Sequence, residues 1–397
     1  MSRKIKKPVI LHLASWYPLK EDPVKGIFIQ RHIELLSGDS STKHIVVKKS
    51  VHEFSVLRHL LSLLGFFYKE KVGLLNIIKL PQNSFLYRFF FWRFKPTIEK
   101  LQLIRLLKKY RPDLIHLHVV YGFGIEVDYA KKRFGIPFII SEHMGPFPFD
   151  WIQDKQTFVI NPMQEATAVI SVSNAQAKQI YDFTGVTSTV IPNVVNEKEF
   201  YYAEKSKAKD ADVTLQIVFV GIDREKKGLD YLLLALPVFL QSYPNCKLHL
   251  VGYAKPERMS IIKKQIEKTG IGHAVQFHAQ LAAPDLCKLH HECDFYVCSS
   301  EWESFGLSVL EALFAGLPVL STNCGGVPDF INSENGILIT NDQKKETLIN
   351  GLIQMTNQLS SFNREKIASE VRKKFSNSSI KDKYYSIYKK ILQTSAL

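Results

Sequence analysis

The chain contains no Cys-x-x-Cys pair and no apolar run of membrane-spanning length, and it is short of acidic residues relative to basic ones. Its five cysteines, Cys246, Cys287, Cys293, Cys298 and Cys324, all fall in the second half. Their spacing fits neither a zinc site nor a disulfide framework, so reduced, packed thiols and a cytosolic address are expected. The longest apolar run of the first half, Leu60 to Phe67, is broken by Ser62 and Gly65, far below the roughly 20 residues a membrane helix requires. Met1 to Lys7 is basic, but the apolar stretch Val9 to Leu13 runs straight into Trp16-Tyr17-Pro18. That is too short for a secretory h-region, and no signal peptide is expected. No long repeat or low-complexity tract is present. Against 38 acidic residues stand 52 Lys and Arg, a formal charge of +14. Such a balance attracts nucleic acid, a phosphorylated substrate or an acidic membrane face without choosing among them.

What is present is an ordinary globular composition, 46% apolar and 23% charged over 397 residues, a length at which two cores are expected. Short Val- and Ile-rich runs alternate with helical stretches, the pattern of parallel α/β sheets. The spacing predicts strands near Val9–Ala14, His44–Lys48, Leu75–Leu80, Asp113–His118, Pro137–Ser141, Ala168–Val172 and Thr189–Ile191. It predicts a second series near Gln216–Gly221, Lys247–Val251, Val275–Ala279, Asp294–Ser299 and Pro318–Ser321. The polar, lysine-rich segment 196–214 between them is the expected linker, dividing a domain over 1–195 from one over 215–378. Asp210-Ala211-Asp212 lies in that charge run and after no strand, which argues against a metal-binding Asp-x-Asp. Residues 379–397 contain Ile380, Tyr384, Tyr385, Ile387, Tyr388 and Ile391 at helical spacing, an amphipathic helix with a broad apolar face.

The densest chemistry lies in Glu301 to Val319. After the strand ending at Ser299, Ser304, Phe305 and Gly306 are placed to open a helix at the carboxyl edge of a sheet, where free amides and a partial positive charge suit a diphosphate. Glu303 and Glu311 stand eight residues apart, about 12 Å along a helix. Two carboxylates so spaced can hold the two polyol ends of a nucleotide sugar; two solvated helix glutamates are the plain alternative.

This Glu-x7-Glu element, with Phe305-Gly306-Leu307 inside and Gly316-Leu317-Pro318-Val319 after it, resembles the signature of the retaining glycosyltransferases of family four. Further blocks follow in order: Trp16-Tyr17-Pro18 with Gly26-Ile27-Phe28, Asp113 to His118, Ser141-Glu142-His143, Val172-Ser173-Asn174, Ile191-Pro192-Asn193, Phe219-Val220-Gly221 with Lys227-Gly228-Leu229, and Asn323 to Asp329 with Asn335-Gly336. The resemblance implies the GT-B fold: two facing Rossmann-like α/β domains with parallel sheets, and a final helix returning to the first. It implies that Glu311 binds the ribose, Glu303 the donor sugar, Lys227 and the amides near Ser304, Phe305, Gly306 and Leu307 the diphosphate, and Gly26 the donor from the first domain. It places His143 against the donor sugar and the reacting acceptor. Where the family often has an arginine, this chain has Ile222, with Arg224 two residues on as the candidate replacement. Two cations there would stabilise the leaving diphosphate; a solvated Lys227 in its charge cluster and a plain turn at Gly26 are the competing accounts.

By the same resemblance the expected activity is retaining, metal-independent transfer from a nucleotide-sugar donor to a saccharide or lipid-linked acceptor, in polysaccharide or glycolipid synthesis, with no cofactor. His116 and His118 share one strand face. With Glu142 and His143 they offer zinc-type ligands, but the spacing fits no metal template, so no metal is expected. From Leu57 to Lys109, Phe66, Phe67, Tyr68, Phe85, Tyr87, Phe89, Phe90, Phe91, Trp92 and Phe94 are interleaved with Arg58, Lys69, Lys71, Arg88, Arg93 and Lys95. This suits a face touching anionic membrane, with core packing as the alternative for at least half of the rings. A cytoplasmic protein, peripheral on the inner membrane face, follows. No nucleic-acid module is present, and no nucleic-acid partner is expected. A nucleotide-sugar epimerase, a non-catalytic nucleotide-sugar or membrane binder, and a nucleic-acid binder marked by steep salt dependence are the competing classes.

Overall fold

The computed structural model describes residues 7–18, 26–39, 41–50, 61–81, 95–204, 215–223 and 225–394. It divides into two compact units, one of residues 1–194 with 378–397 and one of 195–377.

The first unit is built on eight strands, β1 (Val9–Ala14), β2 (Lys43–Ser50), β3 (Tyr68–Val72), β4 (Leu75–Pro81), β5 (Leu114–His118), β6 (Phe138–Ser141), β7 (Ala168–Ser171) and β8 (Thr189–Val190). They lie in the order β3-β4-β2-β1-β5-β6-β7-β8. All pairs are parallel except β3 with β4. The chain order reverses between β1 and β5, and a doubly wound sheet leaves a crevice outside the carboxyl ends of the strands at such a point. Strand β1 is buried along its whole length, because helices cover both faces of a parallel sheet and a near-continuous apolar run results. Strand β3, by contrast, is mostly exposed. It carries no apolar alternation, and the periodicity that marked most other strands missed it.

The helix Asn377–Thr394 belongs to this first unit. Ile380, Tyr384, Tyr388 and Ile391, one face at i, i+4, i+8 and i+11, are buried against Ile10, Leu36, Leu114 and Ile139. The helix thus returns to the first sheet, as expected.

The second unit carries β9 (Leu215–Val220), β10 (Cys246–Val251), β11 (Val275–His278), β12 (Phe295–Cys298), β13 (Val319–Thr322) and β14 (Gly336–Ile339), ordered β11-β10-β9-β12-β13-β14. Every pair is parallel. Here the order reverses between β9 and β12. The short edge strand β14 was not expected. Its backbone is close-packed, since a Cβ on Gly336 would sit 2.3 Å from the Val319 carbonyl oxygen. The five cysteines are free and buried. The Asp210-Ala211-Asp212 string lies outside the described residues.

Candidate active site

In the second unit the predicted residues converge where β9 and β12 end. A turn over Glu225–Lys227 leads to Gly228 at φ +71°, the N-cap of the helix Leu229–Ser242. A Cβ on Gly228 would lie 1.9 Å from the Ser299 carbonyl oxygen, so only glycine lets this turn reach the end of β12. That contact delivers Lys227: its Nζ donates to Glu303 Oε1 at 2.7 Å, and Ser300 Oγ donates to the same oxygen at 2.8 Å. Neither member of the ion pair is a solvated surface group, with side-chain exposures of 22% and 12%.

The Glu303 backbone is fixed from the other side. Gly326 N–H donates to the Glu303 carbonyl at 2.9 Å, and Gly325 at φ +51° brings its Cα so close that a Cβ would meet that carbonyl oxygen at 1.9 Å. Three residues on, Gly306 caps the helix Leu307–Phe314 from a left-handed conformation, without a side-chain cap. The helix therefore starts with backbone amides that no cap side chain occupies. The Phe305 ring is buried against Phe330 and Phe375, 5.2 and 6.5 Å away, so this residue can offer a ligand only its backbone. Ser304 and Leu307 are partly exposed at the mouth. Glu311 is 7% exposed, which excludes the solvated-helix account for it. Ile222, at the position of the family arginine, is fully buried and brings no charge. Arg224 lies outside the described residues.

In the first unit the corresponding edge is formed by the ends of β1, β5 and β6. Gly26, at φ +71°, caps the helix Ile27–Ser37. A Cβ there would lie 2.7 Å from the Trp16 carbonyl carbon, so the close approach this glycine permits is to its own chain at Trp16-Tyr17. Glu142 is fully buried and accepts backbone N–H groups of Val120, His143 and Met144 at 3.0, 2.9 and 2.9 Å. It ties the loop after β5 to the loop after β6. Burial nevertheless pushes its carboxyl up to about 7. His143 is held by Asn193, Nδ1 to Oδ1 3.1 Å, while its Nε2 is buried without a partner. Burial holds this imidazole well below its ordinary range.

Among the described residues Glu142 and His143 do not join His116 and His118 in one group of ligand atoms, and both Glu142 oxygens accept backbone N–H groups. A different set assembles. His12, His116 and His118 bring ring nitrogens within 4.8 Å of one another, all buried. Both nitrogens of His12, both of His116 and Nε2 of His118 already hold hydrogen-bond partners. The cluster is thus a hydrogen-bonded array, and a metal ion would displace most of those bonds. His12 and His44 were not singled out from sequence. Their proximity is created by the pairing of β1 with β2 and β5, which aligns His12 with His116.

Of the aromatic stretch, Phe67 is buried in the core while Phe66 and Tyr68 are 68% and 48% exposed beside the exposed Lys69 and Lys71. Arg58, Phe85, Tyr87, Arg88, Phe89, Phe90, Phe91, Trp92, Arg93 and Phe94 lie outside the described residues. Among the described residues no helix is long and apolar enough to cross a membrane.

Residues 203–375 match the family described as glycosyl transferases group 1, and residues 56–199 match glycosyltransferase family 4. An uncharacterized glycosyltransferase of Methanocaldococcus jannaschii is 27% identical over 63% of this chain and 68% of its own. A GDP-mannose:cellobiosyl-diphosphopolyprenol alpha-mannosyltransferase of Xanthomonas campestris is 24% identical over 58% of this chain and 61% of its own. Among solved structures, Anabaena HepE in complex with UDP and glucose aligns over 96% of this chain and all of its own, with a TM-score of 0.72 at 18% identity.

Proposed function

The chain belongs to the group 1 and family 4 glycosyltransferases, with the GT-B fold, and from that premise we propose retaining, metal-independent transfer from a nucleotide-diphosphate sugar to a saccharide or lipid-linked acceptor in cell-surface polysaccharide or glycolipid synthesis. The observation that carries this is the pairing of Lys227 with Glu303 at the uncapped start of the helix Leu307–Phe314. A cation and free amides suit the diphosphate, and buried Glu311 one turn and more along the same helix suits a ribose diol. His143, with a bare ring edge at the first-unit crevice, is the candidate contact to the sugar undergoing transfer. Gly26 keeps a proposed donor-side role only through its backbone. Arg224 stays the candidate second cation. As the diphosphate departs, Lys227 and the helix amides meet the charge that develops on it.

The UDP complex of Anabaena HepE and the GDP-mannose in the name of the Xanthomonas relative make uridine and guanosine donors the first to try, and the diphosphopolyprenol in that name makes a lipid-linked acceptor the first to try. A peripheral position on an anionic membrane draws support from exposed Leu64, Phe66 and Leu74 near Lys69 and Lys71. The deciding experiment is a thermal-shift screen against UDP, GDP, ADP and their sugar conjugates, followed by transfer with the nucleotide sugar that stabilises. A ligand at 100 times its dissociation constant adds about 2.7 kcal/mol. Product anomer by NMR tests retention, and undiminished turnover in EDTA tests metal independence. No shift with any nucleotide sinks the reading.

A further inference from the structure

A row of imidazoles crosses the first sheet from its amino edge to its carboxyl edge, and its hydrogens can be counted. At the amino edge, the Tyr385 hydroxyl of the C-terminal helix donates to the Leu36 carbonyl at 2.7 Å. Its one hydrogen is then used, so in the 3.0 Å contact with Thr42 Oγ1 the threonine must be the donor. With its own hydrogen spent, Thr42 Oγ1 can only accept from His44 Nε2 at 2.7 Å. Burial holds His44, His12 and His118 below their ordinary pKa, so each ring carries one hydrogen at neutral pH. His44 has placed its hydrogen on Nε2. His44 Nδ1 is therefore bare and accepts from His12 Nε2 at 2.8 Å. His12 Nδ1 is then bare in turn and accepts from His118 Nε2 at 3.0 Å. The count ends at His118 Nδ1, a buried lone pair with no donor.

The neighbouring ring arrives at the same state independently. His143 Nδ1 faces an amide oxygen, Asn193 Oδ1, and must donate to it, which leaves Nε2 as a second buried lone pair without a partner. The two rings are stacked, 18° from parallel and 6.1 Å apart. Two unpartnered acceptors on neighbouring stacked rings call for O–H or N–H donors, and neutral imidazoles select an uncharged hydroxyl over an anion.

We propose that His118 Nδ1 is held bare to accept a sugar hydroxyl beside His143, and that Tyr385, Thr42, His44 and His12 are positioning residues which fix this tautomer from the opposite edge of the sheet. The nature of the ligand rests on the glycosyl-transfer reading above; the tautomers do not. The donor sugar and a saccharide acceptor present the same O–H chemistry.

The test uses the full chain labelled with 15N-histidine and long-range 1H–15N correlation. His44, His12 and His118 are expected to carry hydrogen on Nε2, and His143 on Nδ1. In Tyr385→Phe the Thr42 hydrogen is released toward His44, the count inverts, and Nδ1–H appears on His118. Thr42→Val disturbs the same tautomers and Thr42→Ser restores them. Wild-type His118 protonated on Nδ1, or Tyr385→Phe leaving all three rings unchanged, overturns the lock.

The second arm is kinetic, with the nucleotide sugar that supports transfer. Tyr385→Phe raises one KM about three- to tenfold, the scale of one misdirected hydrogen bond, with kcat held within about twofold. A change in donor KM assigns the hydroxyl to the donor sugar, and a change in acceptor KM assigns it to the acceptor. No change in either overturns the hydroxyl assignment. Correct tautomers in a protein that transfers no sugar leave the lock standing and remove the functional reading.

Discussion

The two units place different chemistry at the same topological position. At the end of β12 the second unit presents an ion pair, a helix start and glycines that bring backbone within contact distance. At the ends of β5 and β6 the first unit presents neutral imidazoles and a buried carboxyl braced by backbone amides. One edge carries charged groups and an uncapped helix start, the other buried rings with unpartnered nitrogens. The difference shows how a nearly common sheet architecture takes on different chemistry at the same edge, since only the local side chains and turns distinguish the two.

Acid should separate the two edges most strongly. His32 and His44 are pushed down to about 4 by burial, and His12, His116, His118 and His143 lie well below their ordinary 6.5. A folded-state pKa below the unfolded one stabilises above pH 6.5, and that stabilisation is lost as pH falls toward 4. At pH 5 His32 and His44 each forfeit about 2 kcal/mol, and the other four rings act in the same direction. Glu126 and Glu142, raised to about 7, oppose this, because their protonation favours the fold between pH 7 and 4.5. Two carboxyls do not offset these rings. The second unit has fewer, principally His249 at about 4 and His290 at about 3. In calorimetry from pH 7 to 5 the first unit's transition should move down further. Equal movement of both would remove the contrast.

Truncating the returning helix comes next. Tyr388→Ala, at a fully buried ring whose hydroxyl bonds His116 Nδ1 at 2.6 Å, should destabilise the first unit by about 3–5 kcal/mol. Nucleotide binding by the second should persist, as read by a retained thermal shift. Glu303→Ala reverses the pattern: a loss of about 10²–10³ in kcat/KM, the scale of one stabilising contact to a transition state, with the first unit's melting unchanged. Wild-type turnover in that variant would strip Glu303 of its role. Smallest is Arg258→Ala, which breaks the bidentate pair with Asp230 at 3.1 and 2.7 Å. It should lower the second unit's stability by about 1 kcal/mol, visible as a small shift in one transition only.

How much of this was legible in the chain depended on locality. The Glu303 to Glu311 segment could be read because the strand, the turn and the helix that use it are contiguous. Most strands of both sheets announced themselves through apolar runs, the central ones buried on two faces, whereas β3, mostly exposed, and β14, a four-residue edge, were missed. The histidine row was invisible for another reason. Only His116 and His118 share a strand, while His12 and His44 join them through sheet register, which one sequence does not state. Gly26 illustrates a third limit: the requirement for glycine was legible, but the neighbour that imposes it, the Trp16-Tyr17 backbone, was not.

The helix Asn377–Thr394 also sets an order on synthesis. Ile10 and Leu114, near the beginning and middle of the first unit, wait for Ile380 and Tyr388 to cover them. A ribosome therefore completes the entire second unit while the first still exposes an apolar strip of its sheet. The unit begun first is finished after the second, and a chain stopped at Asn377 would carry a completed second unit with a first unit left open to proteases and chaperones.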